Sequence, residues 1–127
     1  MEAIMRNRAG KPVKKGILFI SSFKSQETLE KMLISTRFLC EKKNILINDV
    51  AVECNPTGDM EIDRPCVKAL VNTISKGNFE VLVLRNLYDI TAEEADWENF
   101  LNFMESFGVM VYLTEEGKYV YNDYGEC

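Results

Sequence analysis

A short apolar run, Val81 to Leu84, limits the possible folds of this chain more than any other feature. The run lies between Gly77 and a polar loop that precedes the next helical pattern. Consecutive apolar residues bounded in this way predict a strand that is buried on both faces, as in the centre of a parallel sheet. In open α/β sheets the chemistry usually lies in the loops beyond the carboxyl ends of such strands. We therefore expect a site between Arg85 and Ala92.

The rest of the pattern predicts an α/β domain around this strand. Further strands are expected at residues 16–21, 45–52, 109–113 and 118–121, and two helices at residues 26–43 and 64–76. A third helix is predicted to begin with a capping box formed by Thr91 and Glu94 and to end at Gly108. The order β-α-β-α-β-α-β-β predicts a three-layer domain, in which helices flank a mostly parallel sheet of four to five strands and the last strand is antiparallel.

At 127 residues the chain has the size of one domain. We divide it into a basic, disordered leader at residues 1–15, the α/β domain at residues 16–121 and a polar tail at residues 122–127. Five lysines and arginines against one acid give the leader a net charge of +4, so the remainder carries −9 of the total of −5. Such an arm can bind DNA by releasing counterions from phosphates, or it is only a disordered leader or residual cloning sequence.

Composition excludes several kinds of site. The sequence contains no histidine, and its four cysteines include no Cys-x-x-Cys pair. The usual zinc, haem and iron–sulfur spacings are therefore missing, as are the Ser-His and Cys-His nucleophile pairs. No Gly-x-Gly-x-x-Gly or Walker A loop occurs either. We expect no metal and no cofactor. No apolar run approaches the roughly 20 residues that span a bilayer, so we expect a cytoplasmic protein without a membrane partner.

The residues around the end of the first strand carry a resemblance to a known family. Residues 20–26 are Ile-Ser-Ser-Phe-Lys-Ser-Gln, residues 63–65 are Asp-Arg-Pro, residues 87–92 are Leu-Tyr-Asp-Ile-Thr-Ala, and Gly108 precedes Val109. In this order and spacing the chain resembles the catalytic domain of serine recombinases of the resolvase/invertase kind. That domain opens with a strand ending Arg-Val-Ser, followed after three residues by Gln. An Arg-Pro-like pair starts its second helix, and Leu-Asp-Arg-Leu-x-Arg follows its central strand. The similarity extends from about Gly16 to Gly117.

The resemblance implies a resolvase-like fold, DNA as partner, a homo-oligomer, and an origin among mobile-element or phage recombination genes. Carried over residue by residue, it makes Ser22 the nucleophile that would form a phosphoserine link to DNA. Gln26 takes the position of the family glutamine, and Arg64 that of the arginine before the helix proline. From the residues alone, Ser22 could instead be a serine that bonds the following turn, and Arg64 a solvated residue of the first helical turn.

The other arginines of the family pattern are missing. Ile20, Asp89 and Ala92 stand at arginine positions, and Tyr88 stands at the aspartate position. Arginine forks neutralise the charge on the equatorial oxygens of the phosphoryl transition state, and each lost donor costs about 10²–10³-fold in rate. Asp89 is further expected to repel a phosphate. Lys24 and Arg85 lie in the correct loops and could bind phosphate in part compensation.

Three hypotheses follow from the sequence. The first is a resolvase-like pseudoenzyme that acts as a DNA-associated or protein-interaction and regulatory module. The second is a divergent but active site-specific recombinase that works through Ser22. The third is an unrelated α/β domain that binds a small anion or nucleotide beyond the strand ends. Beyond the resemblance, only exposed aromatic residues on the third helix, such as Trp97 and Phe103, would favour self-association.

Overall fold

The computed structural model of the protein describes residues 13–22, 25–54 and 64–120, without the side chains of Ser22 and Cys54. The predicted leader up to residue 12 and the predicted tail lie outside these ranges. The strands and helices are β1 (Lys14–Ser22), α1 (Gln26–Lys42), β2 (Ile45–Cys54), α2 (Pro65–Lys76), β3 (Val81–Leu84), α3 (Glu94–Ser106), β4 (Met110–Leu113) and β5 (Lys118–Val120). A short 3-10 turn, Leu87–Asp89, lies between β3 and α3.

The strands form one mostly parallel sheet in the order β2-β1-β3-β4-β5. The pairs β1–β2, β1–β3 and β3–β4 are parallel, and only β4–β5 is antiparallel. Lys14 and Lys15, which we assigned to the leader, pair with Ile45 and Leu46 as the first residues of β1. The predicted order of elements and the antiparallel last strand are confirmed.

The predicted position of Val81 to Leu84 is also confirmed. All four residues are buried, and β3 is hydrogen-bonded to β1 on one side and to β4 on the other. Alternate residues of the buried strands therefore contribute to two separate cores. The core beneath α2 and α3 contains Ile17, Phe19, Leu82, Leu84, Phe100 and Met104 among others. The core beneath α1 contains Leu18, Ile20, Leu29, Cys40, Val81 and Val83 among others. The domain thus has the three predicted layers.

The predicted start of α3 is wrong, whereas its predicted end is confirmed. The helix begins at Glu94 after Glu93, whose side chain makes no capping bond. Thr91 Oγ1 instead accepts a hydrogen bond from the backbone N–H of Glu93 at 3.1 Å, so the predicted capping box is wrong. At the other end, Gly108 has a φ of +74° and follows the last turn as predicted. That conformation suits glycine because a side chain would be strained there.

Trp97 is buried in the core beneath α2 and α3, so its predicted exposure is wrong. Phe103 is exposed, as expected. The difference follows from the helical period, since Trp97, Leu101 and Met104 share the buried face and Phe103 lies off it. None of the helices within the described ranges combines the length and apolarity needed to cross a membrane.

Two isoleucines on different helices test the assignment of the core. Ile74 on α2 is 2% exposed, whereas Ile34 on α1 is 71% exposed. We expect Ile74→Ala to reduce the free energy of unfolding by about 2–5 kcal/mol, because it removes packed atoms and leaves a cavity. Ile34→Ala should change it by no more than about 0.5 kcal/mol. Urea denaturation at low protein concentration would measure both, and equal losses would contradict the described packing.

Candidate functional site at the carboxyl ends of the strands

The strand order places a crevice beside β1. The chain passes from β1 to β2 on one side and later to β3 on the other. In open α/β sheets, ligands bind outside the carboxyl ends of the strands at such a reversal of order. At this edge polar side chains from β1, β2, α2 and the segment after β3 form one connected cluster. We call this cluster the strand-end network; its members are Ser21, Glu53, Arg64, Cys66, Arg85 and Asp89.

The Glu53 carboxylate, near the end of β2, is the acceptor at one side of the network. Ser21 Oγ donates to Glu53 Oε1 at 2.5 Å, and Cys66 Sγ donates to Oε2 at 2.6 Å. Arg64 Nε donates to both carboxylate oxygens, at 3.1 and 3.2 Å. Three donors from β1 and from the start of α2 thus converge on one carboxylate.

The Arg64 guanidinium spans the network. While Nε contacts Glu53, Nη2 donates to the carbonyl oxygen of Asp89 at 2.5 Å, and Nη1 donates to that of Ile90. Only 10% of the Arg64 side chain and 16% of the Glu53 side chain are exposed. The alternative interpretation of Arg64 as a solvated residue of the first turn is therefore wrong.

The Arg85 guanidinium, directly after β3, is engaged in the same way. Arg85 Nη2 donates to Asp89 Oδ1 at 2.6 Å and to the carbonyl oxygen of Ser21 at 2.7 Å, and Nε donates to Asp89 Oδ2 at 3.1 Å. The bond to Ser21 joins β1 to the end of β3 across the crevice. We expected Asp89 to repel a phosphate; its carboxylate is buried and bidentate on Arg85.

The surroundings of Glu53, Cys66 and Asp89 shift the pKa of each group. Burial alone would raise the pKa of Glu53, but the hydrogen bonds from Cys66, Ser21 and Arg64 and the charge of Arg64 outweigh it and lower that pKa. Burial and the bond to Glu53 raise the pKa of the Cys66 thiol to about 11, so the thiol keeps its proton. Burial raises the pKa of Asp89, and the hydrogen bonds and charge of Arg85 oppose that rise.

Every buried side-chain nitrogen or oxygen atom in the described parts of the chain has a hydrogen-bond partner. In the strand-end network, therefore, no side-chain nitrogen or oxygen that is shut off from solvent lacks a hydrogen-bond partner. Within the same ranges, no cluster of three acids or cysteines has a geometry suited to a metal ion.

Of the remaining predicted site residues on β1 and α1, Ile20 and Gln26 do not join the network. Ile20 is completely buried in the core beneath α1, and Gln26 is an exposed first residue of α1. Ser22 is the last residue of β1 and pairs with Cys54, but its side chain is outside the described part of the structure. Lys24 is also outside it.

Tyr88 and Ala92 belong to a different surface. Both are exposed, and they help to line a cavity of about 470 Å³ between the 3-10 turn, α3 and the β4–β5 hairpin. Glu94, Glu98 and Glu116 also line this cavity, so its rim is acidic. The two positions that the family resemblance groups with Asp89 are thus turned toward a surface that does not favour a phosphate.

Sequence reasoning missed three members of the network: Ser21, Glu53 and Cys66. A signal for Glu53 was present, because an acid near the carboxyl end of a predicted parallel strand lies at the edge where sites form. Ser21, at the end of the strand predicted at residues 16–21, carried the same signal, whereas Cys66 offered none, since its role depends on the position of Glu53. Of the predicted site residues, the structure brings Arg64, Arg85 and Asp89 together.

Three solved structures share this architecture. The N-terminal catalytic domain of TP901-1 integrase matches with a TM-score of 0.68 and 15% identity, over 84% of this chain and 81% of that one. The chain has the fold of a serine recombinase catalytic domain. The C-terminal catalytic domain of ISC1926 TnpA, an IS607-like serine recombinase, matches with a TM-score of 0.65 and 12% identity, over 80% and 70% of the two chains. A resolvase family site-specific recombinase from Streptococcus pneumoniae matches with a TM-score of 0.63 and 15% identity, over 89% and 78%.

Compared by sequence, the chain matches no family model and no curated protein. The predicted resolvase-like fold is confirmed by the structural similarity, which at these identities concerns the fold alone.

Replacing Ile20 by arginine, the residue type of the serine recombinase pattern, should destabilise this domain. Ile20 is enclosed by the apolar core beneath α1, where an unpaired guanidinium would be desolvated. We expect Ile20→Arg to cost about 3 kcal/mol or more of unfolding free energy, and the control Ile20→Val about 1 kcal/mol. Thermal and urea denaturation would measure the difference. A stable Ile20→Arg protein would contradict the burial of this position.

The lowered pKa of Glu53 predicts a pH-dependent contribution to stability. The ionised carboxylate stabilises the folded state fully above the ordinary pKa of 4.5, and this stabilisation is lost as the pH falls through the lower folded-state value. At pH 7 we expect Glu53→Gln to cost about 1–3 kcal/mol, because Arg64 loses its charged partner. The difference between the two proteins should shrink steadily below pH 4.5. A difference that stays constant from pH 7 to pH 3 would contradict an ionised Glu53.

Proposed function

We propose that this domain is a serine-recombinase-like module that no longer exchanges DNA strands and that acts by binding other macromolecules. The observation that carries the proposal is the engagement of both arginines at the strand ends. Arg64 contacts Glu53 and two backbone carbonyls, and Arg85 contacts Asp89 and the carbonyl of Ser21.

Phosphoryl transfer has a transition state that must be stabilised by positive charge. A serine that attacks a DNA phosphate needs preorganised positive charge around the equatorial oxygens. Here each guanidinium is already neutralised by a carboxylate of the same chain, and a phosphate would have to displace a charge-assisted hydrogen bond. Ile20, Asp89 and Ala92 supply no further positive charge. These features support a pseudoenzyme over an active recombinase.

We propose that the domain binds DNA only through the basic leader. Arg6, Arg8 and Lys11 precede a body of strongly negative net charge, so we propose that DNA contact runs through these residues. By its likeness to recombinase domains, we further propose that the chain self-associates. We propose that it derives from a mobile-element or phage recombination gene and works in the cytoplasm.

A titration with labelled mixed-sequence duplex DNA tests the DNA part of the proposal. Fluorescence anisotropy at low and at higher salt would compare the full chain with a version lacking residues 1–12, which leaves β1 intact. We expect weak, salt-sensitive binding by the full chain and none by the shortened chain. Salt-sensitive binding that survives the deletion would contradict the proposal.

The same incubations, followed by denaturing electrophoresis, test the alternative of an active recombinase. That alternative predicts a covalent phosphoserine adduct that forms with the full chain and is absent in Ser22→Ala. We expect no adduct with either protein. An adduct that depends on Ser22 would establish the divergent recombinase and overturn the pseudoenzyme.

A further inference from the structure

The outer face of α1 carries an apolar surface without a partner in the described chain. Ile34 is 71% exposed and Phe38, one helical turn later, is 57% exposed. Together with Lys31, Ser35 and Leu39 they line a shallow groove of about 450 Å³. The opposite face of α1 packs on the sheet through Leu29, Thr36 and Cys40. Large apolar side chains at the centre of a solvent-facing helix surface mark an interaction site more often than isolated ones do.

The charges beside this surface are arranged as complementary pairs. Glu30 and Lys31 lie on the N-terminal side of Ile34, and Glu41 and Lys42 lie on the C-terminal side of Phe38. All four side chains are exposed. Their present contacts are weak: Lys31 Nζ is 3.7 Å from Glu27, and Lys42 Nζ lies 4.6 Å from the centre of the Phe38 ring. Exposed pairs of this kind contribute about 0–1 kcal/mol each, so they do not hold the side chains in place.

We propose that α1 of a second copy of this chain docks antiparallel on this face, with Ile34 of each copy against Phe38 of the other. In that register, any two residues that face each other across the interface have sequence numbers that sum to 72. Lys31 then faces Glu41, and Glu30 faces Lys42. The two-fold symmetry of the dimer repeats each of these contacts.

Two other arrangements of the same helices bring like charges together. In a parallel two-fold pair each residue meets its own copy, so Glu30 faces Glu30 and Lys31 faces Lys31. In an antiparallel pair centred on Ile34, Lys31 faces Arg37 and Glu27 faces Glu41. Like charges in direct opposition disfavour these two alternatives, whereas the proposed register opposes Lys31 to Glu41 and Glu30 to Lys42.

The proposed interface is small. One pair of helices offers less surface than the roughly 1,200 Å² at the lower end of stable interfaces, so the dimer should be weak and should form at high protein concentration. This inference deepens the self-association part of the proposed function, and it is independent of the pseudoenzyme and DNA parts.

Sedimentation equilibrium of the full chain over a wide concentration range tests the proposal. We expect a reversible monomer–dimer equilibrium that Phe38→Asp abolishes, because the substitution places a charge in the apolar contact. Lys31→Glu should weaken dimerisation by about tenfold, since an attractive pair becomes repulsive at two places. The double variant Lys31→Glu/Glu41→Lys restores opposite charges in the proposed register, so it should regain most of the wild-type affinity. Thermal denaturation at low concentration would confirm that the exposed substitutions leave the fold intact.

Each contrary result overturns a defined part of the proposal. A wild-type chain that is monomeric at every concentration up to the millimolar range would overturn both the interface and self-association. A dimer that Phe38→Asp leaves unchanged would move self-association to another surface. Failure of the double variant to regain affinity would overturn the antiparallel register. None of these outcomes bears on the DNA titration or on the Ser22 adduct, so the two proposals can fail separately.

Discussion

The ion pair between Glu53 and Arg64 holds the strand ends together. Glu53 belongs to β2, and Arg64 lies immediately before α2 and also donates to the carbonyls of Asp89 and Ile90. One guanidinium therefore connects the end of β2, the start of α2 and the turn after β3. In a partly buried setting such a network is stable only while every member has its partner. Loss of Arg64 would leave both a carboxylate and two carbonyl oxygens without this donor.

Under the proposed function, the same interactions explain how the fold can persist without strand exchange. The sheet and its two cores depend on apolar strands, which the strand-end residues do not disturb. At the strand ends, carboxylates of the chain occupy the guanidiniums that a phosphate would need. Asp89, which the resemblance places at an arginine position, is in contact with Arg85, so its negative charge is compensated within the chain. The cluster is a cross-link between elements, and under the proposed function the exposed surfaces of the domain carry its interactions.

How far the sequence predicted the structure depended on how local each signal was. The run Val81 to Leu84 identified the central strand, because an uninterrupted apolar stretch is incompatible with an exposed position. Gly108 marked the end of α3, because its positive φ is a local requirement. Arg64 and Arg85 were predicted to be site residues, and Asp89 was expected to repel a phosphate. Their contacts were not predicted, since Glu53, Asp89 and the Ser21 carbonyl meet the two guanidiniums only after the sheet has assembled. The predicted start of α3 was wrong because Thr91 could make another local bond. Its Oγ1 accepts a hydrogen bond from the N–H of Glu93 instead of capping the helix.

NMR spectroscopy can observe directly whether the two guanidiniums are held by the chain's own carboxylates and carbonyls. In the NMR spectrum of the protein, the Nε–H resonances of Arg64 and Arg85 would be followed during titration with inorganic phosphate and then with duplex DNA. Arg37, exposed on α1, provides an internal comparison. If both guanidiniums are held by carboxylates and carbonyls, their resonances will exchange slowly with solvent and keep their positions up to millimolar phosphate. Saturable shifts of Arg64 and Arg85, larger than any shift of Arg37, would show that the strand ends still bind phosphate and would contradict the account.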